Sequence, residues 1–339
     1  MSDLRVDLSL IAPLDQSARR ARELADLGAD GVFTFEGGHD VFFPLVLAAR
    51  EVDVDLMTNV TISFPRSPMH MANAAYDLQL LSRGRFRLGL GSQVRAHIEK
   101  RFGAQWSRPA ARMREQVLAT KAIFAAWQRE SKLDFRGEFT THTLMTPAFD
   151  PGPNPFGPPP ILVGALGPKM TEISAEVADG ILVMPFNSKR HFHERTLPAI
   201  EKGLATGRRT ADEFTIIAEV IVAMGNDDAE LAAAARGVKG LLSFYGSTPS
   251  YRPVLEVEGW ADRQPVLNEM SKRGEWKAMG DVIDDQMLRT LGVYGSPEDC
   301  AGQIVDRFGS HADRVCCYFP GYPATDERVA ELVAAIRKA

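Results

Sequence analysis

ILVGALGPKMTEISAEVADGILVMPF, residues 161–186, is the stretch that decides the fold. The apolar run Ile161–Val163 stops at Gly164-Ala165-Leu166-Gly167-Pro168, and an amphipathic helical pattern follows. Ala178-Asp179-Gly180 then turns the chain into a second apolar run, Ile181–Met184. Short apolar runs separated by a helical period and glycine turns read as two buried strands joined by a helix. Pro168 suits the first helical position, where its missing N–H would be unpaired in any case. Gly164 and Gly167 would let a ligand approach the backbone, and the free N–H groups of the helix start would attract an anion. Taken alone, however, the segment is first of all a tight strand–helix turn with glycine there for its geometry.

The same rhythm recurs along the chain. Strand-like runs fall at Arg5–Ile11, Gly31–Phe35, Asp55–Ile62, Arg85–Leu90, Ile161–Gly164, Gly180–Pro185, Phe214–Ala223 and Arg314–Phe319, with helical segments between them. Pro68–Leu81, Pro109–Arg129, Asp228–Phe244, Ser296–Phe308 and Asp326–Arg337 are the clearest of these helices, and Ser296-Pro297-Glu298-Asp299 has the pattern of a capped start. Eight strands alternating with helices is the count of a TIM (β/α)8 barrel, with a doubly wound open sheet as the alternative. Two stretches break the alternation. The proline-rich segment 131–160 reads as a surface excursion with a small hairpin around Phe135–Leu144. Segment 246–286 carries Tyr251, Trp260 and Trp276 among polar residues.

The 339 residues are 45% hydrophobic, ample for a large core, and barrels of this length commonly form one domain. No linker or charge run marks a boundary, so residues 1–339 are expected to form a single domain with two insertions. A net charge of −5 gives no basic field for nucleic acid or an anionic membrane. The start, MSDLRVDLSL, has no basic region followed by an apolar one, and no apolar run approaches the roughly 20 residues that span a bilayer. Cys300, Cys316 and Cys317 read as buried structural thiols, and a soluble, cytoplasmic protein is expected.

In such a barrel the ligand site lies at the carboxyl ends of the strands. Glu36, His39 and Asp40 after the second strand are the titratable cluster there, and His39 is the natural acid or base. A histidine that only hydrogen-bonds its loop, beside an aspartate that caps the next helix, is an equal reading. No metal is expected: His191 and His193 do not share a helical face, and no Cys-x-x-Cys occurs. The first strand is not followed by GxGxxG, which argues against an ordinary dinucleotide-binding domain.

Four blocks, in order and spanning nearly the whole chain, resemble the bacterial-luciferase-like oxidoreductases, and within them the coenzyme F420-dependent branch that includes methylenetetrahydromethanopterin reductase-like enzymes. They are Asn59-Val60-Thr61 with Phe64-Pro65-Arg66-Ser67-Pro68, Leu80–Ser92, Gly164–Met170 with Ala178-Asp179-Gly180, and Gly295-Ser296-Pro297-Glu298. The resemblance implies a barrel with a bulged third strand, whose non-prolyl cis peptide at Asn59-Val60 props a tricyclic ring. It implies cofactor contacts from Asn59, Val60 and Thr61, from Gly91, Ser92 and Gln93, and from Gly164, Ala165, Leu166, Gly167, Pro168, Lys169 and Met170. Glu36, His39 and Asp40 would lie near the reactive carbon of the ring. The implied activity is hydride transfer between the deazaflavin C5 of F420 and a small organic substrate, an enone, ketone, alcohol or imine. An FMN-dependent monooxygenase is the alternative, since FMN-using members share the barrel and these same blocks. In the contacts to the ring this chain departs from the F420 branch, which usually has glycine where it has Asn59 and commonly asparagine where it has Ile62. A homodimer is expected. Segment Tyr245–Trp276 is read as a lid, a dimer contact or a disordered loop.

Overall fold

A computed structural model describes residues 4–339; residues 1–3 of the expected domain lie outside the described residues. Eight parallel strands form its centre: β1 (Arg5–Ser9), β2 (Gly31–Thr34), β3 (Asp55–Thr58), β4 (Phe86–Gly91), β5 (Ile161–Ala165), β6 (Gly180–Val183), β7 (Thr215–Met224) and β8 (Arg314–Tyr318). Each pairs with the next in the order β1 to β6, β6 pairs with β7, β7 with β8, and β8 returns to β1. The sheet is therefore closed into a (β/α)8 barrel, and the open doubly wound sheet is excluded. Alternation along each strand sends one set of side chains outward, against the helices, and the other into the barrel. Cys316 and Cys317 separate in this way, Cys316 inward with Phe33, Met57, Leu162, Leu182 and Ile217, and Cys317 outward into the helix-packed shell.

Segment 161–186 folds as the pattern requires, as β5, helix Pro168–Val177 and β6, with Pro168 in the first turn. Ser296 caps helix Pro297–Phe308 in a reciprocal capping box with Asp299. The helix after β2 runs Phe43–Ala48, and Leu14–Gln16 forms a 3-10 turn that leads into helix Ser17–Asp26 without a side-chain cap.

The amino-terminal end of the barrel is closed by an ion network that the sequence does not announce. Arg314 on β8 grips Asp7 on β1 through two hydrogen bonds and reaches Asp55 on β3 at 2.8 Å, while Arg87 on β4 holds Asp55 at 2.9 Å. The side chains of Arg314 and Asp7 are each only 3% exposed. Burial by itself would lower the arginine's pKa, but Asp7 and then Asp55 outweigh it and hold the guanidinium above its usual value. Gly31 makes the room, since a Cβ there would stand 2.4 Å from an Asp7 carboxyl oxygen.

The two excursions are both ordered. The hairpin in the first, Phe135–Arg136 with Thr141–His142, is pinned by Glu115, which accepts hydrogen bonds from the backbone N–H groups of Glu138, Phe139 and Thr140. The second folds as short helices, among them Arg252–Val257 and Arg263–Lys272. They build their own apolar cluster, with Leu255 and Leu267 packed near Phe186 and Ile221. It is a packed cap standing over the end of β7, which removes the disordered-loop reading. Among the described residues no helix is long and apolar enough to cross a membrane.

Candidate functional site

The mouth of the barrel is shaped by an irregularity in β3. Met57 pairs with Arg87, and Thr61, which begins a short extension Thr61–Ile62, pairs with Leu90. Thr58, Asn59 and Val60 thus stand opposite only Leu88 and Gly89, which defines a bulge. The Asn59–Val60 peptide is cis, in agreement with what the resemblance implies. Thr58 Oγ1 donates to the Gly89 carbonyl and accepts from the Gly89 N–H, tying the bulge to β4.

Two glycines give the bulge its space. A Cβ on Gly91 would meet a Val60 methyl at 2.3 Å, and one on Gly164 would meet the other at 3.1 Å. Gly164 and Gly91 make room for Val60, whose side chain is raised as the floor of the mouth. Gly167 has open space around its Cα, and no side chain caps the helix it precedes. Lys169 is exposed beside it, Ala165 is buried, and Leu166 leans on the cap's apolar cluster. Ser92 and Gln93 follow β4 half-buried, with Gln93 left-handed at φ 55°.

The three titratable residues after β2 do not act as one group. Glu36, 7% exposed, takes two hydrogen bonds from Arg66 at 2.7 and 2.9 Å and one from the Ile62 N–H at 2.8 Å. Asp40 accepts from the Phe42 N–H and lies 3.4 Å from the same guanidinium. Arg66 also donates to the Ile62 carbonyl. Both carboxylates therefore serve an ion pair that holds the segment after the bulge. His39 stands exposed on the loop with no hydrogen bond or ion pair among the described residues.

Sequence reading missed Glu219. Ile217 on β7 belongs to the barrel interior, and the two-residue period puts Glu219 next on the same face, level with Cys316 of β8. Protein crowds it, yet part of its surface stays open. Loss of solvent pushes its carboxyl from 4.5 up to about 8, and the facing Asn59 amide works weakly the other way. The phenols of Tyr245 and Tyr318 stay protonated through burial and then through Glu219 itself. Phe35 packs edge-on against Tyr318 at 6.2 Å, and Phe186 against Tyr245 at 6.0 Å, so the surrounding wall is aromatic. One lone charge within the apolar run Ile216–Ala223 was the available signal.

A flavin-like group can be tested against this mouth. Asn59 Nδ2, Thr61 Oγ1 and Ser63 Oγ are buried on the bulged segment without a hydrogen-bond partner among the described residues. Buried polar groups are normally paired, so these are donors and acceptors suited to the polar edge of a heterocycle. Among the described residues no three His, Cys, Asp or Glu side chains are gathered as a metal would need. A groove of about 900 Å³ lies elsewhere, lined by Gly225, Asn226, Arg289, Ser296 and Asp306 among others, and shares no residue with the mouth.

A closed parallel barrel with a cis bulge under an aromatic mouth defines an α/β enzyme scaffold whose chemistry is set at the strand ends. Residues 2–314 match the luciferase-like monooxygenase family, and the chain belongs to that family; its members are oxidoreductases for which a flavin-type cofactor is typical. An uncharacterized protein of Mycobacterium tuberculosis is 48% identical over 317 residues, covering 93% of each chain. The 5,10-methylenetetrahydromethanopterin reductase of Archaeoglobus fulgidus is 28% identical over 264 residues, 76% of this chain and 75% of its own. The coenzyme F420-dependent tetrahydromethanopterin reductase of Methanopyrus kandleri superposes with a TM-score of 0.79 over 99% of both chains, at 18% identity, a likeness of fold.

Proposed function

We propose that this protein is an F420-dependent oxidoreductase, moving a hydride between deazaflavin C5 and a small uncharged organic substrate such as a ketone, enone, alcohol or imine. The observation that carries the reading is the floor of the mouth: Val60 raised between Gly91 and Gly164, with Asn59 Nδ2 and Thr61 Oγ1 unpaired beside it. Similarity to the archaeal reductases supports the deazaflavin in particular. Bound F420 would supply the hydride chemistry. Asn59, Val60 and Thr61 would carry the ring. The uncapped helix start at Gly167-Pro168, with Lys169 beside it, and Gly91-Ser92-Gln93 would take the acidic tail. Glu36 and Asp40 act as positioning residues, fixing Arg66 and through it the segment after the bulge.

Absorption and fluorescence titration of the purified protein with each cofactor tests this. F420 is expected to bind with micromolar affinity or tighter and FMN far more weakly; FMN binding without F420 binding would establish an FMN-dependent monooxygenase instead.

The protein is further proposed to work as a homodimer in the cytoplasm. The helix Phe43–Ala48 leaves Phe43, Val46 and Leu47 exposed at spacings of three and four, one continuous apolar face. Sedimentation should give twice the chain mass for the wild type and a shift toward monomer for Leu47→Asp. A monomeric wild type would sink the proposal.

A further inference from the structure

We propose that Glu219 is the acid that delivers a proton to the substrate oxygen, a catalytic role that rests on the oxidoreductase reading above. Its position argues for this. It projects from β7 into the barrel one step above the sealed interior layer, facing Asn59 of the bulge, whose Nδ2 makes no hydrogen bond among the described residues. The ionisable groups that act with it are Tyr318 and Cys316 on β8 and Tyr245 on helix Asp228–Gly246. None is a cation, and among the described residues Glu219 makes no ion pair. A carboxyl so placed is kept neutral near pH 7, which is the form able to donate. Glu36 and Asp40 are instead engaged by Arg66, and His39 lies out on the loop.

The surroundings also select the substrate. An aromatic wall with a neutral acid and two phenols, and no cation facing Glu219, suits an uncharged carbonyl compound and offers nothing to pair a carboxylate. In the reduction, the substrate carbon gains a hydride and the C=O π bond breaks. The oxygen takes the Glu219 proton to become a hydroxyl. The two electrons come from a reduced deazaflavin, which leaves oxidised, and the Glu219 carboxylate regains its proton from water at the mouth. Alcohol oxidation runs the same transfers backward, with Glu219 as base.

Two measurements test the assignment. Infrared titration of the protein without cofactor should reveal a protonated-carboxyl band at pH 6 that fades as pH passes about 8 and is missing in Glu219→Gln. Single-turnover reduction of a panel of neutral ketones and enones by reduced F420 should slow on the alkaline side of about pH 8. Glu219→Gln should lower that rate by about 10²–10⁴ at pH 7 and abolish the alkaline fall, with F420 affinity unchanged; Glu219→Asp should restore part of both. A band that persists in Glu219→Gln, an alkaline fall that persists in it, or one removed instead by His39→Ala would overturn the role. So would F420 binding with no member of the panel reduced. If the wild type does not bind F420, the cofactor reading falls and the donor role with it, an outcome told apart because the infrared band is read without cofactor.

Discussion

Arg314→Met is expected to destabilise the protein by about 3–5 kcal/mol, because removing one member of a buried ion pair strands the other as an uncompensated charge. Here the stranded carboxylate is Asp7, inside the barrel end and left without a cation among the described residues, while Asp55, partly beside it, keeps Arg87. Denaturant unfolding of the two proteins side by side measures the loss. The double variant Asp7→Leu/Arg314→Met should recover most of it, since a well-packed apolar pair can replace a buried ionic one at little net cost. A loss below about 1 kcal/mol, the worth of a surface salt bridge, would mean that water reaches the network and that the barrel end is not sealed.

The second large effect is on the pH dependence of stability. Between pH 4.5, the usual value of a glutamic acid, and about 8, the folded protein holds the Glu219 proton while the unfolded chain has released it. Folding is therefore favoured by this group in acid. The contribution is complete below 4.5 and is lost as pH rises through the interval, being gone above about 8. Each tenfold difference in proton affinity between the folded and unfolded chain is worth about 1.36 kcal/mol. Allowing for the part of the side chain that water reaches, the loss is on the order of 3 kcal/mol. Glu219→Gln has no proton to release. The stability difference between wild type and Glu219→Gln should therefore change in the variant's favour from pH 5 to pH 8 and stay level beyond. A difference independent of pH would show that Glu219 titrates like an exposed carboxyl.

The barrel itself was legible in the chain because parallel strands covered on both faces are written as short apolar runs, and glycine and proline punctuate them. All eight expected runs overlap the observed strands. What escaped was whatever depends on residues distant in sequence but close in space. Glu36, His39 and Asp40 form a cluster by numbering, yet Arg66, reached only through the bulge, claims two of them. The Asp7–Arg314 pair joins the first strand to the last, and no local pattern connects them. The contact of glycines 91 and 164 with Val60 is likewise invisible until the bulge brings the valine between them. Glu219 was passed over because one charge in an apolar strand leaves the periodicity intact. Its meaning appears only when the alternation with Ile217 and Ile221 is placed in the closed barrel.

β7 is the longest strand, ten residues, and successive inward positions serve three different surroundings. Ile217 lies in the sealed interior, Glu219 at the mouth and Ile221 in the apolar cluster of the cap. One backbone thus acts as a common ruler for the acid and for the roof above it. Exchanging the cap between relatives to redesign substrate preference should therefore treat the carboxyl-terminal half of β7 as part of the graft. A junction cut between Glu219 and Ile221 would reset the height of the roof relative to the group beneath it.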